Sequence, residues 1–490
     1  NVTDVALPYG GYTKFITQGL NDKYLPVWMQ EAGYATYYIG KLMNVHNVTN
    51  YDTPFAAGYN GSDFLLDPYQ TQYYNSTWVH NHDTPVNYPG EYLTDLLMEK
   101  TFASLDDAVV SNGTPPFFMV IAPTAPHSET TFPTNGPLPV LLPPHPATKY
   151  KNYFQNVTVP RAANFNPDHP SGVFWIRDLP QQNASVVAAN DEFYRNRLRT
   201  LQSVDEMVDN LFTRLQDHKL LDNTYVIYTT DNGFHIGQHR LPPGKACGYE
   251  EDINIPLVIR GPGTSSCGTV DVATTHTDLA PTIFGLAGIE PRKDFDGQKI
   301  PITETEIALA NRDAGAHEHV STEYWGVATA ENPTGGADYP GPDFRPANFN
   351  STYKGVRIIN DRTGYNLYYR VWCNNDHEIY DMNTDPGQLD NLWLIPNATL
   401  LGFPLYTVVT RLDALLMILK SCTADTCRWP WRVLHPAGNV HNLAEALKPQ
   451  NDDYYTMEMK ARGVNFSHCA WGYIIDAEGP QVPLVYDGMS

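Results

Sequence analysis

The chain has 490 residues, 42% hydrophobic and 12% aromatic, which is enough apolar mass for a large folded core and excludes global disorder. Acidic residues outnumber basic ones by 54 to 32, giving a formal charge of −22 that disfavours nucleic acid and anionic lipid as partners. No apolar run reaches the roughly 18 residues that a membrane-spanning helix needs, so no membrane association is expected.

Apolar periodicity predicts alternating helices and strands through the first half of the chain. In chain order these are a helix at 25–33, a strand at 34–39, a helix at 92–110, a strand at 117–121, a helix at 191–218, strands at 224–228 and 255–259, and a helix at 278–287. This alternation is typical of an α/β fold, with a mostly parallel central sheet flanked by helices. In such sheets, functional side chains collect just after the strands.

The pattern changes near residue 352. Residues 365–371 are aromatic and alternating, which indicates an antiparallel type of strand. We therefore expect an α/β catalytic domain at 1–350 and a smaller C-terminal α+β subdomain at 351–490, built on an antiparallel sheet. Residues 311–346 are rich in Gly, Pro and Asn and are predicted to form an extended loop.

Asn-x-Ser/Thr sequons and cysteines indicate a secreted, glycosylated protein. Ten sequons occur, where chance would give roughly four. They lie at Asn1, Asn47, Asn60, Asn75, Asn112, Asn156, Asn183, Asn350, Asn397 and Asn465. The six cysteines are even in number and lack CxxC spacing, which favours disulfides over metal ligation. Their pairing stays open, and a local Cys422–Cys427 loop is the most plausible single pair.

A strand followed at once by Asp231, Asn232 and Gly233 is the strongest local signal. Two adjacent oxygen ligands at a strand end suit a hard cation such as calcium or magnesium. The tripeptide by itself is more often an ordinary turn, so the metal site needs support from other residues.

Three basic side chains supply that support, since each follows a predicted strand or the turn-rich segment after it. His127 can donate to an anionic oxygen or protonate a leaving group, and Lys41 and Lys245 are compact cations beside glycines that suit a tetrahedral oxyanion. Each residue alone is more often structural or a solvated surface charge. Together they predict a dianion-binding, metal-assisted ester hydrolase.

The arrangement resembles the sulfatase family of the alkaline-phosphatase superfamily, most of all secreted fungal-type arylsulfatases and more distantly N-acetylglucosamine-6-sulfatase. The resemblance covers nearly the whole chain. The matching motifs are GY at 33–34 with GK at 40–41, APHS at 125–128, TDNGFHIGQH at 230–239, PGK at 243–245, IPL at 255–257, TDLAPT at 277–282, and YD at 380–381 with DP at 385–386 and NL at 391–392.

The resemblance implies an alkaline-phosphatase-like fold and a role for each matched residue. Asp231 and Asn232 would bind one Ca²⁺, Lys41 and Lys245 would bind sulfate oxygens, and His127 would contact the sulfate or the leaving oxygen. His235 is a weaker candidate for leaving-group protonation. Many family members carry a histidine two residues after the first lysine; Met43 stands there in this chain and His46 is the next histidine, so that role is not transferred.

The sequence departs from the family at the nucleophile. Sulfatases form formylglycine from a C/S-x-P-x-R motif, and no such motif occurs here; the run CRWPWR at 427–432 has different spacing. We expect the formylglycine, the first strand and a pair of metal-binding aspartates to lie on an N-terminal fragment of the same protein that partners this chain. The 490-residue chain alone is then expected to be inactive.

Two alternatives remain open. A phosphomonoesterase or phosphodiesterase of the same superfamily would use a Ser or Thr nucleophile and usually two metals with several histidine ligands, whereas one Asp–Asn pair suits a single calcium. A catalytically silent sulfatase-like binding protein would have no need for all five matched polar residues. The leading expectation is therefore a hydrolase of small aryl or sugar sulfates.

Overall fold

A computed structural model describes residues 10–109, 115–131, 140–264, 272–310, 318–331, 346–348, 350–360, 362–458, 463–470, 472–479 and 481. Its α-helices are α1 (Gly11–Thr17), α2 (Leu25–Glu31), α3 (Leu93–Val109), α4 (Phe174–Arg177), α5 (Ala184–Asp217), α6 (Glu250–Ile253), α7 (Leu279–Leu286), α8 (Glu304–Ala310), α9 (Leu405–Leu419), α10 (Asp425–Arg428), α11 (Pro430–Leu434) and α12 (Leu443–Ala446). In the part of the chain so described, no helix is long and apolar enough to cross a bilayer.

The strands alternate with these helices in the first half of the chain and dominate the region after residue 318. They are β1 (Ala35–Lys41), β2 (Gly61–Leu65), β3 (Asn75–His80), β4 (Val86–Pro89), β5 (Phe117–Ala122), β6 (Glu129–Thr131), β7 (Val140–Leu142), β8 (Val226–Thr229), β9 (Leu257–Arg260), β10 (His319–Tyr324), β11 (Ala328–Thr329), β12 (Pro346–Asn348), β13 (Tyr353–Asn360), β14 (Tyr365–Trp372), β15 (His377–Asp381), β16 (Thr399–Leu400) and β17 (Phe403–Pro404).

The N-terminal sheet has the strand order β4-β3-β2-β1-β5. β1 runs parallel to both β2 and β5, while β2, β3 and β4 pair antiparallel, so the sheet is mixed. Alternate residues of its strands face opposite helical layers, as the two-residue period of a strand requires. Ile39 and Ile121 pack towards α3 and α5, whereas Tyr38 packs towards α1 and Phe118 towards α2 and α7.

Helix α5 starts seven residues before its predicted beginning at residue 191. The side chain of Asn183 caps it by accepting hydrogen bonds from the backbone N–H groups of Ser185 and Val186, each at 3.0 Å. The valines in the first turn have modest helix propensity, which hides the start in the sequence. The cap, rather than apolar periodicity, determines where α5 begins.

Strands β8 and β9 pair antiparallel with each other in a two-stranded sheet of their own. The sequence predicts both strands within two residues but places them in the parallel central sheet. Their short apolar stretches carry no information on which partner each takes, because pairing direction depends on the chain between them. Among the strands of the described residues, parallel pairing is therefore confined to β1, β2 and β5.

The C-terminal region is built on the antiparallel sheet β10-β13-β14-β15, as expected. Helix α9 packs on this sheet and is buried along nearly its whole surface, as is typical of a helix that is hydrophobic all round. The first strand of the sheet, β10, precedes the proposed boundary at residue 350. The division into residues 1–350 and 351–490 stays a proposal.

Two disulfides support this region. The predicted local pair Cys422–Cys427 is confirmed, and Cys373 pairs with Cys469 across 96 residues of sequence. Cys247 is a buried free thiol, and burial raises its pKa well above the usual value. Cys267 lies outside the described residues.

Glu318 is a buried carboxylate in the same core, and it predicts a pH-dependent stability. It accepts hydrogen bonds from Tyr365, from Trp431 Nε1 at 2.7 Å and from the Leu443 N–H at 3.1 Å. Burial raises its pKa from 4.5 to about 7 despite these donors. A pKa raised by folding adds stability that is fully present below pH 4.5 and is lost as the pH rises through about 7.

The Glu318→Gln variant should lose this pH dependence. Between pH 4.5 and 8 the free energy of unfolding of the wild type should fall by about 3 kcal/mol more than that of the variant. Chemical denaturation at a series of pH values measures the difference. Glu99→Gln, on the exposed side of α3, is the control and should follow the wild type. If the free energy of unfolding changes with pH in the same way for the wild type and Glu318→Gln, the raised pKa does not belong to Glu318.

Candidate active site

Lys41 and His127 follow two neighbouring parallel strands. β1 ends at Lys41 and pairs with β5 from Ala35–Phe117 to Gly40–Ala122, and His127 lies five residues beyond Ala122. The carboxyl ends of parallel strands meet at one edge of the sheet. The two side chains share that edge, and the Lys41 ammonium acts electrostatically on the imidazole of His127.

The imidazole of His127 is fixed in one orientation by its own loop. Nδ1 donates to the carbonyl of Ser128 at 2.7 Å, and because a carbonyl only accepts, Nδ1 carries a proton. The His127 carbonyl accepts from Tyr73 at 2.8 Å, and Arg197 Nη1 donates to Pro126 at 3.0 Å. Nε2 is therefore the ring atom available for substrate.

Asp231 and Lys245 are brought together by a loop that doubles back after β8. The backbones of His235 and Gly244 exchange two hydrogen bonds, at 3.0 and 3.1 Å, so residue 245 returns beside His235, four residues after Asp231. Gly233 packs on the backbone of residue 251, where a Cβ would lie 2.0 Å from the Glu251 carbonyl oxygen. Only glycine fits this close approach.

The charged side chains from these elements form one cluster. Lys245 acts on both Lys41 and His127, and Asp231 acts on Lys41. Burial and then Lys245 lower the pKa of Lys41, and the same two causes lower the pKa of His127 to about 4. Cationic groups that lower the pKa values of Lys41 and His127 form an environment that stabilises a bound anion.

Asp231 and Asn232 present oxygen atoms beside this cluster. Asp231 is exposed, and no hydrogen-bond donor among the described residues engages its carboxylate. The amide of Asn232 donates from Nδ2 to the Gly233 carbonyl at 2.7 Å, which leaves its oxygen available as a ligand. A carboxylate and an amide oxygen are donors that a hard divalent cation prefers.

Comparison with known proteins identifies the family. Residues 4–289, more than half of the chain, match the family model described as Sulfatase. The chain belongs to the sulfatase family. It is accordingly an enzyme that hydrolyses sulfate esters.

Curated sulfatases resemble the chain over most of its length. It is 37% identical over 426 residues to the sulfatase ppz1 of Metarhizium majus, covering 86% of this chain and 87% of that protein. It is 35% identical over 474 residues to an arylsulfatase of Volvox carteri, covering 93% of this chain and 70% of that protein. It is 34% identical over 421 residues to the N-acetylglucosamine-6-sulfatase of Bos taurus, covering 81% of this chain and 68% of that protein.

Solved structures share the fold. BT4656, solved in complex with its substrate D-glucosamine-2-N,6-O-disulfate, matches with a TM-score of 0.56 at 21% identity, covering 76% of this chain and 77% of that one. A protein from a glycosaminoglycan-metabolism locus of Bacteroides thetaiotaomicron matches with a TM-score of 0.54 at 18% identity, covering 81% of this chain and 76% of that one. These likenesses confirm the fold class that the sequence predicts.

Two charged residues of this cluster are absent from the sequence prediction. Glu331 is buried and acts on Lys245 and His127, and Arg197, from α5, acts on Glu331 and Asp231. The Arg197 guanidinium lies 4.0 Å above the ring of Phe234, directly after the Asp-Asn-Gly turn. Arg197 is one of three arginines between residues 195 and 199 of α5, so the sequence gives no signal that distinguishes it.

His235 is directed away from this cluster and into its own loop. Its Nδ1 lies 2.7 Å from Asp252 Oδ1, and the other oxygen of Asp252 accepts the Cys247 backbone N–H at 2.7 Å. These contacts, with 2% exposure of His235, fit a role in holding the doubled-back loop. Leaving-group protonation by His235 stays a prediction that its contacts do not favour.

His46 is a core residue, which agrees with leaving the role of the missing family histidine unassigned. Its ring packs 4.3 Å from that of Tyr12 and 5.3 Å from that of Phe64, measured between centroids. Burial lowers its pKa to about 4. Met43 packs against the same hydrophobic cluster.

The C-terminal sheet supports the loop that carries Lys245. Arg370 on β14 donates from Nη1 to the Cys247 carbonyl at 2.6 Å, and Ser351 donates to the Ala246 carbonyl at 3.3 Å. Both acceptors lie within two residues of Lys245. The position of this lysine therefore depends on the C-terminal region as well as on the strand edge.

Proposed function

We propose that this sulfatase hydrolyses sulfate monoesters at a calcium site, with Lys41, Lys245 and His127 binding the sulfuryl oxygens. One observation carries the proposal: these basic groups act on one another at a single strand edge, beside Asp231. A sulfate ester concentrates one negative charge on three oxygens, and converging ammonium and imidazole groups complement it.

We propose Ca²⁺ as the metal, held by Asp231 and Asn232. Calcium takes six to eight oxygen ligands, so these two side chains supply only part of its coordination. When bound, the ion would act as a Lewis acid on a sulfate oxygen. The uncommitted oxygens of the two side chains support this assignment.

His127 would serve the leaving oxygen. Because Nδ1 is engaged by Ser128, exchange of a proton with substrate takes place at Nε2. Burial and Lys245 hold the pKa of the ring at about 4 in the unliganded site, and an anionic substrate opposes the effect of Lys245. Substrate binding thus favours the protonated ring that can donate to the leaving group.

The nucleophile that the family resemblance implies is formylglycine, and we include it in the proposal. The same resemblance places it on an N-terminal fragment that would dock on this chain. In support, β5 is the edge strand of the described sheet and its six residues are only half-buried. The residues described here bind and orient the sulfate group.

We propose a small aryl or sugar sulfate as substrate. The relatives named as an arylsulfatase and as an N-acetylglucosamine-6-sulfatase resemble the chain to a similar degree, at 35% and 34% identity. Assays with both substrate types separate the two classes.

Secretion and N-glycosylation are further parts of the proposal. The two disulfides support an oxidising compartment. Accessible sequon asparagines support glycan attachment, and the exposed ones are Asn60, Asn156, Asn183, Asn350, Asn397 and Asn465. Asn47 and Asn75 are half-buried, and Asn1 and Asn112 lie outside the described residues.

Replacing Lys245 by alanine in the full-length protein tests the sulfate-binding role. The loss of one preorganised charge contact should lower kcat/KM for an aryl sulfate by roughly 10²-fold or more. Lys149→Ala is the matched control, since Lys149 is a half-exposed lysine paired with Glu206 on α5. Equal kcat/KM values for the two variants would move Lys245 out of the site.

A further inference from the structure

Glu331 places a buried carboxylate among the basic side chains of the site. It is 4% exposed and follows Ala330, whose backbone bridges to Gly244. Its N–H donates to the Pro243 carbonyl at 2.7 Å, and its Oε2 accepts from the buried hydroxyl of Ser128 at 2.7 Å. Glu331 thus links the loop of Lys245 to the loop of His127.

The surroundings of this carboxylate favour its ionised form. Burial alone would raise its pKa, but Lys245, His127 and Arg197, together with the Ser128 hydrogen bond, outweigh burial and lower it. A fixed negative charge weakens the binding of an anion at the same cluster. Its presence therefore reduces sulfate affinity, and its position among the cations that bind sulfate calls for a functional reason.

The charges of substrate and product supply that reason. Hydrolysis breaks the bond between sulfur and the leaving oxygen, forms a new sulfur–oxygen bond with oxygen from water, and gives an alcohol, sulfate and a proton. The ester carries one negative charge and sulfate carries two. Excess positive charge stabilises the product more than the substrate, because the Coulomb energy scales with the ligand charge.

We propose that Glu331 is a charge-balancing and positioning residue that weakens the binding of sulfate and so promotes product release. The inference rests on the proposed function, because it requires that the basic cluster binds the sulfuryl group. Glu331 repels the dianion about twice as strongly as a monoanion at the same distance. Its links to Ser128 and Pro243 keep the two cation-bearing loops together while it does so.

The Glu331→Gln variant tests the charge, since glutamine has the same shape and keeps an oxygen that can accept from Ser128. In the full-length, calcium-supplied enzyme, inhibition by inorganic sulfate should become tighter by on the order of tenfold. Methanesulfonate is a monoanion, so the logarithm of its inhibition constant should change by about half as much as that of sulfate. Both kcat and KM should fall, as expected when product release limits turnover.

Glu304→Gln is the matched control because it removes the same charge from an exposed position on α8. It should leave both inhibition constants within about twofold of the wild type, as expected for a screened surface charge. Glu331→Asp keeps the charge and should retain sulfate affinity near that of the wild type. Glu331→Ala provides a second neutral variant, with tighter sulfate binding expected.

Unchanged or weaker sulfate binding by a folded neutral variant would overturn the proposal. If both neutral variants fail to fold while Glu331→Asp folds, the residue is structural and the proposal is equally wrong. A wild-type enzyme that sulfate does not inhibit would instead refute the proposed sulfate site itself. The two failures are therefore distinguishable in one set of assays.

Discussion

Replacing Asp231 by alanine in the full-length protein is expected to abolish calcium binding and the hydrolysis of an aryl sulfate. Asp231 lies two residues after β8, and its carboxylate acts electrostatically on Lys41 and Arg197. A metal acting as a Lewis acid contributes several kcal/mol of transition-state stabilisation, so turnover should fall by roughly 10³-fold or more.

Calcium affinity and turnover must be measured on the same preparations. Isothermal titration of the metal-depleted protein gives the calcium affinity, and release of the aryl alcohol gives turnover before and after calcium is restored. Restored activity is expected for the wild type but not for Asp231→Ala. Asp222→Ala is the control, because Asp222 is a fully exposed carboxylate four residues before the start of β8.

The Asp231 variant also separates ligation from general electrostatics. Loss of Asp231 leaves Lys41 and Arg197 without one opposing charge, so a purely electrostatic role would tighten the binding of inorganic sulfate while calcium affinity stays unchanged. A ligand role predicts loss of calcium and loss of turnover together. Normal hydrolysis and normal calcium affinity in Asp231→Ala would remove Asp231 from the metal site.

The sequence predicts the parts of the site that follow strands. Lys41, His127 and Asp231 each lie within five residues of the end of an apolar strand, and strands of four or more apolar residues are readable in a sequence. The rule that the carboxyl ends of parallel strands meet at one edge accounts for Lys41 and His127, whereas Asp231 follows β8, which pairs antiparallel with β9 outside that sheet. Local patterns and this rule therefore bring Lys41 and His127 to one edge, and the roles of all three residues stay predictions.

Glu331 and Arg197 could not be predicted in the same way. Glu331 lies in a Gly- and Pro-rich segment and reaches the site only through the backbone bridge between Ala330 and Gly244. That bridge is a tertiary contact across 86 residues of sequence, and nothing in the local pattern encodes it. Arg197 sits on α5, where a basic residue is by default a solvated one.

The cysteines illustrate the same difference. Cys422 and Cys427 are five residues apart, so their pairing follows from proximity along the chain. Cys373 and Cys469 are 96 residues apart and meet only because the end of β14 packs beside the segment at 463–470. The sequence predicts a disulfide whose cysteines are close along the chain. It does not predict one whose cysteines are brought together only by the fold.

The Arg370→Met variant should have the largest effect on stability, at about 3–5 kcal/mol. Arg370 and Glu378 are both fully buried and form an ion pair, and Glu378 also accepts from Trp372 Nε1 at 2.6 Å and from Tyr380 at 2.5 Å. Removing the guanidinium leaves a carboxylate that is buried without its opposite charge. That uncompensated charge, rather than the lost attraction, accounts for most of the expected cost.

Arg292 offers a matched control. Its guanidinium lies 4.4 Å above the ring of Trp28 and pairs with Asp294 at 2.8 Å, much as that of Arg370 lies 4.1 Å above the ring of Tyr249 and pairs with Glu378. The difference is exposure, since both Arg292 and Asp294 reach solvent. Arg292→Met should therefore cost no more than about 1 kcal/mol.

The double variant Arg370→Met, Glu378→Met distinguishes the buried charge from lost packing. If the uncompensated carboxylate dominates, removing it should recover much of the stability lost by Arg370→Met, and denaturation midpoints should show it. Turnover should not recover to the same extent. The single variant Arg370→Met and the double variant both lack the hydrogen bond from Arg370 to the carbonyl of Cys247, which lies two residues from Lys245. Recovery of turnover in step with stability would show that the Arg370 hydrogen bond does not position this lysine.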